Sequence, residues 1–246
     1  GGLGVGTVTP LILRGEANVL GWSPQRVAEA PEDLAKRVLD LYQHRDPVLA
    51  KALAGGIKAD QLAKGGTEME QGGGNPAVMA RAAAGAARLM MKEDGPRVGV
   101  LSYDGWDTHA NQGGATGRLA DLLDGLDRAF AAFEREFGAA WKETVILVVT
   151  EFGRTANING TEGSDHGTAT VAMLIGGAVR GGRVIADWPG LKTAQLHQGR
   201  DLKPTTDLRA VMKGVMADHL GLSANVLAER IFPDSGAVKP MSGLVA

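Results

Sequence analysis

Two short stretches concentrate the side chains able to do chemistry. "GWDTHANQ", residues 105–112, places Asp107 two positions before His109. "TEFGRTANINGTEGSDHGTATVAMLIGG", from Thr150 to Gly177, holds Glu151, Arg154, Asp165 and His166. In an extended segment, residues two apart point the same way, about 6 to 7 Å along the chain. The Asp107 carboxylate and the His109 imidazole can then face one cation, and zinc, manganese or iron takes such donors at about 2.0 to 2.2 Å. The same spacing also suits a hydrogen-bonded turn. Asp165-His166 has two readings as well. "SDHGT" is either a simple turn eased by Gly167 or an imidazole oriented by its neighbouring acid. Glu151 follows an apolar run, where a half-buried carboxylate needs a partner. Arg154 is either that partner or, with Glu151 on a metal, a clamp whose planar fork matches phosphate or sulfate oxygens.

The other three of the five histidines have plainer readings. His44 and His219 fall near predicted helix ends, where a cation suits the dipole. His197 lies in the loop "QLHQGRDL". The chain has no cysteine, so any metal must be held by His, Asp, Glu, backbone or water.

The elements that position these residues read as one domain over residues 1–246. The composition is 44% hydrophobic and 22% charged, an ordinary globular balance. Twenty-six basic against 28 acidic residues, with 4% aromatics, leave no basic footprint and no stacking platform for nucleic acid. No apolar run reaches the length of a membrane span. A strand is expected in "VGTVTPLILRG", ending at Gly15. A helix follows from about Pro31 with Leu34, Val38, Leu41 and Tyr42 on one face, then a second over 46–64 interrupted at Ala54-Gly55-Gly56. "KGGTEMEQGGG" reads as a flexible loop. Asn75-Pro76 opens a helix with a small face of Ala82, Ala83 and Ala86.

From residue 97 the periodicity changes. "RVGVLSY", "TVILVVTEFG", "TATVAMLIGG" and "GGRVIA" read as strands, the second buried on both faces. Leu119, Leu122, Leu123, Leu126, Phe130, Phe133 and Phe137 mark an amphipathic helix. "TTDLRAVMKGVMADHLG" is a last helix, capped by Asp207 and turning Leu208, Val211, Met212, Val215 and Leu220 inward. Strands alternating with helices predict an α/β fold with a largely parallel sheet. Ligands of such sheets gather at the carboxyl ends of the strands, where both polar clusters fall.

"GWDTHANQ", "TEFGRT", "DHGTATVAMLIGG", "GGRVIADWPGL" and "TTDLRAV", in this order, resemble the bacterial family called domain of unknown function 1501. The likeness is closest from about residue 97 onward. The resemblance implies an α/β/α sandwich of the alkaline phosphatase-like superfamily, which includes sulfatases and cofactor-independent phosphoglycerate mutases. It implies a divalent metal, zinc foremost with Mn, Fe, Mg or Ca as alternatives, and a small anionic substrate. Asp107, His109 and His166 resemble one metal site, with Asp165 a ligand or an orienter. Glu151 would belong to a second site, and Phe152 stands where that site's His is expected. Thr7, Thr9 and Ser23 lack the acidic neighbour and following helix of the superfamily nucleophile, so no catalytic residue is assigned. The resemblance further implies export to the periplasm and a chain matching the carboxyl-terminal part of a longer protein. The expected function is a metal-dependent hydrolase of phosphate or sulfate esters. The alternative is a non-catalytic binding or scaffold protein that keeps the metal site. Oligomeric state is not set by the sequence.

Overall fold

The computed structural model describes residues 1–6, 10–23, 32–64 and 75–246. The chain divides into two compact units. One comprises Gly1–Trp106 with Ala120–Gly138, the other Asp107–Leu119 with Ala139–Ala246.

The first unit is built on a small parallel sheet. Strands β1 (Gly2–Val5) and β2 (Val19–Trp22) are followed by helices α1 (Glu32–Arg45), α2 (Pro47–Lys64) and α3 (Asn75–Met90), then β3 (Val98–Leu101) and α4 (Arg118–Phe137). The strand order is β2-β1-β3, with both neighbours parallel to β1. Leu3 and Val5 are buried, as is the alanine face of α3 at Ala82, Ala83, Ala86 and Ala87. Side chains that small permit close approach. Gly85 carries this furthest, because a Cβ there would lie 2.6 Å from Cζ3 of the Trp22 indole. Arg88 of α3 grips Glu136 of α4 through two bonds, Nε to Oε2 at 2.9 Å and Nη2 to Oε1 at 3.0 Å. On α4 Leu122, Leu126, Phe133 and Phe137 are buried as expected, whereas Leu123 is 45% exposed.

Several expectations for this unit need correction. Among the described residues, the strand expected up to Gly15 covers Gly2–Val5, and Leu11–Leu13 forms a 3-10 turn after Pro10. Ala54-Gly55-Gly56 does not interrupt α2. Glycine costs a helix about 1 kcal/mol relative to alanine, and the flanking helix formers absorb it. On α1, Leu34 and Leu41 are 50% and 54% exposed, so its apolar stripe is not a core face. The glycine-rich loop over 64–74 lies outside the described residues apart from Lys64.

In the second unit the strands are short and antiparallel. Strand β4 (Ile146–Val148) is followed by β5 (Gly153–Arg154), β6 (His166–Gly167) and β7 (Met173–Ile175). β4 pairs with β7, and β5 with β6, both antiparallel. A largely parallel sheet is thus limited to the three strands of the first unit. No helix separates β4 from β7, and without a crossover element the chain returns in the opposite direction. β4 is half-buried rather than covered on both faces. "GGRVIA" forms no strand, and Val184 is 92% exposed. Its β-branched residues favour extended backbone, but pairing makes a strand.

Helix α5 (Leu208–Leu220) begins at Asp207, whose side chain accepts from the Arg209 N–H, and ends at Gly221 in the left-handed region, φ 67°. Its most buried residues are Lys213 and Gly214, while Leu220 is half-exposed. Lys213 Nζ donates to the carbonyls of Ser235 at 2.7 Å and Val238 at 3.0 Å. A short helix, α6 (Ala224–Val226), follows. Ala178, Leu244 and Val245 form a buried cluster with Val211, Val215 and Met241 packed against it.

Candidate metal centre

Two segments of the second unit build the site. The β5–β6 hairpin sets Arg154 opposite His166 in register, and Gly153 opposite Gly167. Gly167 is needed for that approach, since a Cβ there would lie 2.6 Å from the Arg154 carbonyl carbon. The segment after Trp106 is laced to the hairpin loop by backbone bonds. Ser164 N–H donates to Thr108 O at 3.2 Å, Asn111 N–H to Thr161 O at 3.0 Å, and Gln112 N–H to Glu162 O at 2.9 Å. Buried side chains strengthen the joint. The Thr108 and Ser164 hydroxyls both donate to Gln112 Oε1, at 2.8 and 2.6 Å.

These joints bring three of the anticipated residues to one point. Asp107 Oδ1 lies 2.8 Å from His166 Nε2 and 3.0 Å from His109 Nε2. The donor atoms of Asp107, His109 and His166 all fall within 4.8 Å of one another. Ligand atoms around a tetrahedral zinc sit roughly 3.3 Å apart, given bonds of about 2.0 to 2.1 Å. A carboxylate oxygen with two imidazole nitrogens is a donor set that zinc accepts, and the two distances from Asp107 Oδ1, 2.8 and 3.0 Å, lie near that spacing. All three side chains are about half-exposed, so the site is open to solvent.

Asp165 and Arg154 hold the triad from behind. Asp165 Oδ1 faces His109 Nδ1 at 3.0 Å. Both ring nitrogens of His109 thus face carboxylate oxygens, which only accept. Either a doubly protonated ring or a ring with a cation at Nε2 satisfies that geometry. Arg154 Nη2 donates to Asp107 Oδ1 at 2.9 Å, and Nη1 to the Ser164 carbonyl at 2.8 Å. Glu151 is exposed and lies outside the triad. Phe152 stacks on the His166 ring, centroids 4.1 Å apart and 26° between planes. Its sequence neighbours gave no hint of that stack. Asn159, Gln112 and Ser164 also escaped the sequence reading, because amides and hydroxyls of this kind are common in turns of every sort.

The hydrogen bond from His166 is the largest influence holding the Asp107 carboxyl below its ordinary range; burial opposes it, and the His109 charge and the Arg154 hydrogen bond add to the lowering. Hydrogen bonds from His109 and then Asn159 do the same for Asp165. A carboxyl depressed in the folded state stabilises that state above its unfolded pKa of about 3.9 and loses the contribution as pH falls through the folded value. The cluster should therefore stay intact through mild acid and open only below the ordinary carboxylate range. Carboxyl-carbon NMR titration should place both midpoints below about 3.9. Midpoints at or above that value would contradict the contacts.

A family model described as "Protein of unknown function (DUF1501)" matches residues 29–231. The chain belongs to the DUF1501 family. No curated protein and no solved structure matches it. Every side chain of the metal centre lies inside the span of the DUF1501 match. Among the described residues of this DUF1501 chain, no helix is long and apolar enough to cross a membrane.

Proposed function

We propose that this DUF1501 chain is a metal-dependent hydrolase of phosphate or sulfate esters, with the α/β/α architecture and export expected of an alkaline phosphatase-like protein. One observation carries the reading: Asp107, His109 and His166 present an oxygen and two nitrogens to a single point open to solvent. Two imidazoles favour zinc, with manganese or iron next, over the oxygen-seeking magnesium and calcium. When bound, such a metal polarises an ester oxygen and lowers the pKa of a coordinated water. The protein's part is orientation. Asp165 fixes the His109 ring so that Nε2 points to the site, and Arg154 both steadies Asp107 and sets a positive charge beside it. An anionic ester is drawn to that charge.

A second reading has its own support. The Phe152 ring covers one face of His166, and Arg154 is engaged with Asp107 and Ser164. These contacts favour a binding protein that keeps the metal without turnover. Elemental analysis separates both from a metal-free fold. The purified chain should carry stoichiometric zinc, and the His166→Ala variant should carry none. Absence of metal after reconstitution would sink both readings. Hydrolysis of p-nitrophenyl phosphate or sulfate by the loaded chain, lost in the variant, would decide for the enzyme.

A further inference from the structure

We infer that Asn159 is a positioning residue of the metal centre, acting through Asp165 and the backbone of His109; the inference rests on the metal-binding reading above. The Asn159 side chain joins two separate sets of contacts. Its Oδ1 accepts from the N–H groups of Thr161 and Gly163, both at 3.0 Å, which closes the loop on itself. Its Nδ2 donates to the His109 carbonyl and to Asp165 Oδ1, both at 2.9 Å. The orientation of the amide is settled by these partners, since N–H groups lie on one side and acceptors on the other.

The division of labour matters. The oxygen end holds a loop that backbone bonds already tie down, through Asn159 N–H to Gly163 O at 2.9 Å and Asn111 N–H to Thr161 O at 3.0 Å. At Asp165 the backbone bonds with Thr155 hold only the main chain, and the nitrogen end of Asn159 bonds the carboxylate itself. That carboxylate oxygen is also the one facing His109 Nδ1. Asn159 therefore sets where the Asp165 oxygen sits, and that oxygen sets the plane of the imidazole whose Nε2 faces Asp107. At the His109 carbonyl the Thr161 hydroxyl helps, at 2.7 Å, although its single proton also has Asn159 Oδ1 within reach at 2.9 Å. Partners of this kind, one bond behind a metal-binding histidine, are worth about 10- to 100-fold in metal affinity.

Asn159→Asp isolates the nitrogen end. The substitution keeps size and an oxygen for Thr161 and Gly163, but sets a second carboxylate oxygen against Asp165. Simple electrostatics and positioning then predict opposite signs. An added negative charge near a cation site tightens binding, whereas a displaced Asp165 weakens it. Zinc affinity would be measured by competition with a chromogenic chelator on the full chain, with amide exchange at Thr161 and Gly163 reporting the loop. We expect affinity about 10- to 100-fold weaker with loop protection retained, and partial recovery in the reversed pair N159D/D165N. Unchanged or tighter binding in N159D, beside a wild type that binds zinc, overturns the inference and leaves the metal centre standing. Loss of loop protection with no recovery in the reversed pair also overturns it, because Asn159 then only holds the loop. A wild type that takes no zinc overturns the metal reading, and this inference with it.

Discussion

Asp107→Asn should lower zinc affinity by at least about 100-fold, more than the range typical for a partner behind the ligands. The change preserves shape and removes charge. In the native site one oxygen, Asp107 Oδ1, is shared by His166 Nε2 at 2.8 Å, Arg154 Nη2 at 2.9 Å and His109 Nε2 at 3.0 Å. No other carboxylate completes the triad among the described residues, so the loss has no substitute. An amide oxygen is a poor replacement for a carboxylate on zinc, and an amide nitrogen turned inward presents hydrogens to groups that also donate. The chelator competition described for Asn159 serves here too. Affinity within a few-fold of wild type would mean that the three side chains do not form the site.

The second large effect is expected from a residue without a side chain. Gly163 packs against the backbone of the segment that carries His109, and a Cβ there would lie 2.6 Å from the Ala110 nitrogen and closer still to the His109 carbonyl. Backbone atoms cannot rotate away as a side-chain tip can. Gly163→Ala should therefore push the 107–112 segment off the hairpin loop. Overpacking of this kind costs about 1 to 3 kcal/mol. The displaced His109 carbonyl would also leave the donors at Asn159 and Thr161. Thermal unfolding should shift down and zinc affinity should fall together. A variant that melts and binds like wild type would show that the close approach relaxes freely.

These residues also mark how far the sequence could be read. Asp107, His109 and His166 were legible because their side-chain types have few uses at a strand-linked turn, and the structure groups them. Asp165 was legible as a neighbour, but only geometry assigns it to Nδ1 of His109. Glu151 looked similar on paper, yet its apolar run ends at the turn after β4 and leaves it exposed. Asn159 was hidden because Asn-Gly reads as a turn wherever it occurs. Its partners lie 50 residues back at His109 and six ahead at Asp165, and only the second separation is local.

The helices follow the same logic. Periodicity over α4 names its large buried residues because the side-chain pattern and the burial share one period, with Leu123 at the exposed margin of the face. Strand direction is not encoded that way. An apolar run such as Ile146–Val148 pairs equally well with either polarity, and here the loop that carries the site brings β7 back antiparallel. The parallel sheet was correctly anticipated for Val98–Leu101, where helices precede the strand. Lys213 went unnoticed because its neighbours Val211, Met212 and Val215 were assigned the inward face of α5.

That lysine gives the second unit a built-in clock. The residue is 2% exposed, and its amine donates to two carbonyls of the segment that closes over α5. An acylating reagent in water meets it only during the moments when that segment lifts. The rate at which Lys213 is marked, compared with lysines on the surface, therefore reports how readily the carboxyl-terminal segment opens.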